Sequence, residues 1–321
     1  SMEDVIRTGQ PLRAGNKVYA QTKGKAVMFI NIGLFPMEEG LNILGAHIDS
    51  PRLDLKQNPF YEDTELAYMD THYYGGIKKY QWVTLALHGT IVKKDGSHVE
   101  INIGEDEKDP VFGVTDLLVH LSAKQLEKKG AVVVEGENLD ILVGSRPLKD
   151  SEEKDKVKAN ILKLLKDKYD IEEEDFISGE IEVVPAGKAR DFGLDKSMIM
   201  AYGQDDRVCA YTSLMAMLSV DQVMRTSVAI FVDKEEIGSV GASSMGSRFF
   251  ENTIAEVLNA MGKLSDITLR RTLSRSKMLS SDVNAAYDPT YASVFEKNNA
   301  SYFGHGVVFN KYTGARGKSG S

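Results

Sequence analysis

The sequence predicts an α/β protein, with a mixed, mainly parallel sheet flanked by helices and a β-rich insertion in its middle. Two observations carry the prediction. After residue 195, apolar runs of strand length alternate with loops and helical patterns, as in a layered α/β core. Between about residues 66 and 190 the texture shifts to short strands and hairpin signals. The length of 321 residues agrees, since about 150 residues per domain gives about two domains.

In chain order, Leu41–Ala46 is a short apolar run ending in His47-Ile-Asp49-Ser-Pro, a buried strand entering a loop. In the insertion, Val83–Val92 and Val99–Ile103 flank a polar stretch where Asp95-Gly96 marks a hairpin. Val132–Val134 and Leu142–Val143 read as further strands. Ser151–Asp175 is rich in Glu and Lys, with Val157, Ile161, Leu164 and Leu165 at the spacing of a solvated amphipathic helix. Met198–Tyr202 reads as a strand that passes through Gly-Gln-Asp-Asp-Arg into a helix with Val208, Tyr211, Met215 and Leu218 on one face. Val228–Val232 is an apolar strand ending in Asp-Lys-Glu-Glu-Ile-Gly-Ser, and Phe249–Met261 is helical. Lys277–Ser280 leads into Ser-Asp-Val-Asn, and Gly306–Phe309 into Asn-Lys-Tyr-Thr-Gly, again as strands entering loops.

Composition excludes several classes. With 39 basic against 47 acidic residues the formal charge is −8, which argues against a general nucleic-acid binder. The single cysteine, Cys209, leaves no internal disulfide and no Cys-pair zinc site, and fits a reducing cytoplasm. No apolar run approaches the roughly 20 residues of a spanning helix, and the opening residues are mixed and polar, unlike a signal peptide. Ser1 before Met2 reads as a tag remnant, and the tail Gly317–Ser321 closes no element, so the C-terminus reads as incomplete. His-Glu-x-x-His and Gly-x-Ser-x-Gly are absent. Gly314-Ala-Arg-Gly-Lys-Ser fails the spacing of a phosphate-binding loop, whose first glycine would fall on Tyr312.

Four strand candidates end in metal-type ligands: His47, Asp205, the pair Glu235 and Glu236, and Asp282. In open α/β sheets, ligands bind beyond the carboxyl ends of the strands. Oxygen donors with an imidazole suit zinc, cobalt or manganese. Asp49, two residues after His47, is placed to hold the second nitrogen of a ligating histidine. Adjacent glutamates leaving a strand diverge, so one can bind metal while the other handles a proton. Each piece also has an ordinary reading: a surface His-Asp pair, a solvated Glu-Glu face, a helix cap at Asp205-Asp206, a turn at Asp282. Together they point to metal-assisted hydrolysis by two ions about 3.5–4 Å apart.

Gly-Ala-His47-Ile-Asp49-Ser-Pro, Gly-Gln-Asp205-Asp-Arg, Asp-Lys-Glu235-Glu236-Ile-Gly-Ser and Ser-Ser-Asp282, in this order, resemble the aspartyl aminopeptidase family of dinuclear zinc metallopeptidases. Tyr74–Ile77 and Leu-Leu-Val-His120-Leu resemble it too. The resemblance implies a zinc exopeptidase-like catalytic domain over residues 1–65 and 191–321, incomplete at its C-terminus, with a β-rich dimerisation domain inserted at 66–190. It implies two divalent ions, zinc with cobalt or manganese as alternatives, and His47, Asp205, Glu236 and Asp282 as ligands, with Asp205 bridging. It implies Glu235 as general base, Asp49 orienting His47, and Lys311 facing an acidic substrate side chain, with Arg316 and Lys318 adding charge nearby. His120 resembles a histidine that reaches a neighbouring subunit's site, though a helix-face histidine at an interface fits the residues as well. The family pattern opens with a further helical segment and continues past Ser321 to a last histidine ligand. The function implied is cytoplasmic removal of N-terminal Asp or Glu from short peptides by a tetrahedral dodecamer built from dimers. A broader-specificity aminopeptidase or deblocking enzyme, and a non-catalytic structural paralogue, are the alternatives.

Overall fold

The computed structural model describes residues 1–80 and 83–310. They form two compact units, residues 1–49 with 204 onward, and residues 50–203. The insert is thus longer than the 66–190 expected. Arg52–Asp63 pairs with Leu66–Tyr74 and Glu180–Pro185 inside the insert, and the hairpin of Arg190–Phe192 with Met198–Met200 also belongs there.

The first unit opens with α1 (Met2–Thr8), whose Ser1 and Asp4 form a reciprocal capping box. β1 (Lys17–Thr22) and β2 (Ala26–Asn31) make a hairpin whose turn sets Lys23 and Gly24 at positive φ. β3 (Asn42–His47) is the strand read from the apolar run.

The insert contains β4 (Arg52–Asp63), β5 (Leu66–Tyr74), β6 (Leu85–Val92), β7 (His98–Ile103), β8 (Gly113–Val114), α2 (Ala123–Leu126), β9 (Ile141–Gly144), α3 (Lys156–Tyr169), β10 (Glu180–Pro185), β11 (Arg190–Phe192) and β12 (Met198–Met200). Seven strands form one antiparallel sheet in the order β7-β6-β10-β4-β5-β9-β8. The Asp95-Gly96 hairpin joins β6 to β7 as expected. Ile91, Ile141, Ile181 and Val183 fill the core, with Phe60 edge-on to Phe176 at 4.8 Å. Ile161 and Leu165 of α3 pack on it. Gly89 in β6 has φ +153, and a Cβ there would stand 1.9 Å from the Glu180 carbonyl oxygen, so β10 approaches only because the residue is glycine. Val132–Val134 is not a strand: a 3₁₀ turn, Gly130–Val132, occupies that stretch.

The first unit resumes with α4 (Gln204–Ser219), β13 (Ser227–Val232), α5 (Phe249–Ala260), α6 (Asp266–Ser274) and β14 (Lys277–Ser280). Its sheet runs β1-β2-β13-β3-β14, with β13, β3 and β14 parallel and the hairpin added antiparallel, so it is mixed as expected. β13 is apolar from Val228 to Val232 because both faces are covered there. Val228 and Ile230 pack with Met28, Ile30, Leu41 and the α5 residues Ile254, Val257 and Leu258. Ala229 and Phe231 pack with Ala46 and the α4 residues Ala210 and Met217.

Three expectations fail here. The stripe Val208, Tyr211, Met215 and Leu218 is the exposed face of α4; Ala210, Ser213 and Met217 are buried. Small residues let the helix sit close on β3, and that contact, not hydropathy, chose the face. Of Met198–Tyr202 only Met198–Met200 is strand, an arm of the β11–β12 hairpin rather than a core strand. Gly306–Phe309 forms no strand, and Val307 and Phe309 are exposed. Among the described residues no helix is long and apolar enough to cross a membrane.

Candidate metal centre

The parallel register brings the ligand candidates together. Val232 pairs with His47, so Glu235 and Glu236 leave β13 beside the end of β3. On the other side Ser280 pairs with Gly45 and Ser281 N–H donates to the Gly45 carbonyl at 2.7 Å, which sets Asp282 level with His47. Asp205 and Asp206 arrive from a third direction, at the start of α4, with non-helical backbone at both residues.

His47 is the hub, with 3% of its surface exposed. Its Nδ1 lies 3.0 Å from the Asp49 carbonyl oxygen and 3.3 Å from Asp49 Oδ1, two acceptors, so Nδ1 carries a proton and donates. Nε2 then faces the carboxylates: Asp205 Oδ1 at 3.0 Å, Glu235 Oε2 at 3.9 Å and Asp282 Oδ1 at 4.0 Å. Burial of the ring works against its charge, but Asp49, Glu235 and Asp206 outweigh it and hold the pKa up to about 9. Asp49 does more than face the imidazole. Its two carboxylate oxygens accept the backbone N–H groups of Glu235 at 3.1 Å and Glu236 at 3.2 Å, tying the end of β3 to the loop after β13.

Two overlapping groups have donor atoms within 4.8 Å of one another: His47 with Asp205 and Glu236, and His47 with Asp206 and Asp282. They share His47 and so form one cluster of five side chains. Burial first, then the charges of Asp205, Glu235 and Asp49, push Glu236 up to about 7. Burial and the Asp282 charge push Asp206 up to about 6, against the pull of the Cys209 thiol and His47. Cys209 is itself pushed up to about 12 by burial and by Asp206.

Asp206 is the residue that sequence reasoning passed over. It does not serve the helix as a cap: it is 0% exposed, and neither carboxylate oxygen has a hydrogen-bond partner. A buried anion with no hydrogen bond, only the weak pull of the Cys209 thiol and His47, is expensive unless a cation sits against it. The donor set therefore fits a divalent ion: an imidazole whose far nitrogen is fixed, two carboxyl groups, Glu236 and Asp206, raised chiefly by burial, and two carboxylate oxygens without a hydrogen bond. The only sequence signal was the doublet itself. Of the remaining candidates, Glu235 stands at the edge of the cluster in neither group, with its side chain 38% exposed. His120 is on the exposed turn Val119–Leu121 of the insert unit. Lys311, Arg316 and Lys318 lie outside the described residues.

The model of the aminopeptidase I zinc metalloprotease family (M18) matches residues 7–321. A probable M18 family aminopeptidase 1 of Clostridium acetobutylicum is 61% identical over 322 residues, covering 100% of this chain and 69% of the relative. Its counterpart in Thermotoga maritima is 48% identical over 304 residues, 94% of this chain and 66% of the relative. The crystal structure of aminopeptidase I from C. acetobutylicum superposes with a TM-score of 0.89 at 57% identity, over 99% of this chain and 72% of that one. The yeast mApe1 structure, described as a dodecamer, shares the fold alone, with a TM-score of 0.69 at 22% identity over 89% and 64% of the chains. With both the fold and the family model in agreement over nearly its whole length, the chain belongs to the aminopeptidase I zinc metalloprotease (M18) family and is a hydrolase of the metallo-aminopeptidase class.

Proposed function

We propose that the enzyme removes N-terminal residues, acidic ones preferred, from short peptides, with two divalent ions at the cluster around His47. The observation that carries the reading is the convergence of His47, Asp205, Asp206, Glu236 and Asp282, with both Asp206 oxygens buried and unpartnered. Bound ions would polarise the scissile carbonyl and acidify an attacking water. His47, Asp205, Glu236 and Asp282 would hold them, while Asp206 adds buried negative charge. Asp49 fixes the proton on His47 Nδ1 and so keeps Nε2 for coordination. Glu235, near the cluster but outside its ligand groups, would take the proton from the attacking water and return it to the departing amine.

The preference for acidic residues would come from local basic groups, Lys311 among them, because the overall charge of −8 works against acidic peptides. That same charge favours the broader-specificity reading, and one panel separates the two. Release of N-terminal Asp, Glu, Leu and Ala from aminoacyl-anilides is measured with zinc, cobalt or manganese, with chelator, and in Glu235→Gln. Metal-dependent release led by Asp and Glu and lost in Glu235→Gln is expected. Leu or Ala leading would overturn the acidic preference. Turnover kept in Glu235→Gln would overturn the base.

The assembly we propose is a homo-oligomer built from dimers through the insert, a tetrahedral dodecamer, with His120 serving a neighbouring subunit's site. The exposed apolar run Leu117, Leu118, Val119, Leu121 and Leu126 supports an interface there, and the yeast relative is a dodecamer. Light scattering of the purified protein tests it. The single cysteine supports a cytoplasmic location.

A further inference from the structure

The loop that carries Glu235 and Glu236 is closed by a buried pair that the chemistry above does not use. Asp233 follows β13 with 5% of its surface exposed, and Ser243 has 3%. The Ser243 hydroxyl donates to Asp233 Oδ2 at 2.8 Å, and the Asp233 N–H donates to the Ser243 carbonyl oxygen at 3.3 Å. Lys234 Nζ stands 3.5 Å from the same Asp233 oxygen. Neither Asp233 nor Ser243 is in the ligand groups around His47.

Between these two residues the backbone is tightly wound. Lys234 has φ +66, in the left-handed region that L side chains enter only at a cost. Its carbonyl accepts the Ser239 N–H at 2.7 Å, and the Glu235 carbonyl accepts the Gly238 N–H at 2.8 Å. Gly241 has φ +100, and a Cβ there would meet Lys234 Cδ at 3.1 Å. Strand pairing does not need the Asp233–Ser243 contact, because β13 is already laddered to β3 through Val232. The contact acts on the loop beyond the strand. Asp49 holds the Glu235 and Glu236 amides from the side of β3, and the Asp233–Ser243 bond holds the loop by its own ends. A hydroxyl–carboxylate bond shielded from water is short and directional, which suits it to fixing geometry.

We propose that Asp233 and Ser243 are positioning residues, a clasp that closes the loop so that Glu236 faces the His47–Asp205 group and Glu235 stands beside it. The proposal rests on the roles given above to those two glutamates. Ser243→Ala removes the hydroxyl, Ser243→Thr keeps it, and Ile254→Ala, in the core under α5, serves as a destabilised control. Each full-length variant is assayed for zinc affinity, by competition with a chromophoric chelator, and for kcat and KM on the anilide that the panel ranks first. The expected result is a loss of about 10–100-fold in zinc affinity and a fall in kcat of about tenfold or more in Ser243→Ala, with KM nearly unchanged. Ser243→Thr should restore both, and Ile254→Ala should change neither. Should Ser243→Ala fail to fold, Asp233→Asn, which keeps the shape but loses the charge, reads the same split with a smaller loss.

Ser243→Ala or Asp233→Asn behaving as the unsubstituted protein would overturn the clasp and leave the ligand assignment standing, as would losses no larger than those of Ile254→Ala. An unsubstituted protein that takes up no zinc would overturn the ligand assignment, and the clasp with it.

Discussion

Asp206→Asn in the chelator-treated protein isolates the cost of an unpartnered buried anion. Burial raises the Asp206 pKa from 3.8 to about 6. The folded state therefore keeps this proton to a higher pH than the unfolded chain does. The group costs nothing below about pH 4, and the cost grows through the interval and is complete above about pH 6. Two pKa units correspond to about 3 kcal/mol. Asparagine removes the charge but buries an amide, so about 2 kcal/mol is recovered. For a unit of this size the gain is a rise in Tm of about 4–8 °C at pH 7.5. Calorimetry of both proteins in chelator at pH 7.5 and pH 4 is the assay. The variant should melt higher at pH 7.5 and together with the parent at pH 4. Added zinc should then stabilise the parent more than the variant, because a cation gains most against a full charge. A variant that melts at or below the parent at pH 7.5, or a difference that does not change with pH, would refute the argument.

Asp49→Asn places an amide where one carboxylate oxygen now accepts a backbone N–H from Glu235 or Glu236, so a donor faces a donor. A loss of about 1–3 kcal/mol by urea titration is expected, together with zinc binding weakened about 10–100-fold; an unchanged affinity would show that Asp49 does not position His47. Ile254→Ala empties a fully buried site against Ile230 and Leu41 and should cost about 2–5 kcal/mol, read from the denaturation midpoint. Gly89→Ala sets a methyl group on the Glu180 carbonyl, so the β6–β10 pairing should open and amide exchange at residues 180–184 should accelerate; unchanged protection there would count against that close approach.

How legible each element was in the sequence depends on how it is stabilised. β3 and β13 are covered on both faces, so they had to be unbroken apolar runs, and the polar residue after each run had to lie at the sheet's edge. His47, Glu235 and Glu236 could be read on that ground. β4 could not, because Asn58-Pro59 interrupts it and reads as a breaker, whereas the sheet absorbs the interruption as a register shift between Leu55 and Phe60. The exposed stripe of α4 shows a different limit. Periodicity reports that a helix has a face, and says nothing about whether another element covers it. Ala210 and Ser213 won the contact with β3 by being small, a property that hydropathy does not weigh. Asp206 marks the deepest limit. An aspartate before a helix carries the same letter whether it caps the helix or is buried without a hydrogen bond. Only the tertiary packing distinguishes the two, and here it produces a buried charge that, left unbalanced, would work against the fold. That imbalance makes the cluster a candidate metal centre rather than a set of polar residues at a sheet's edge.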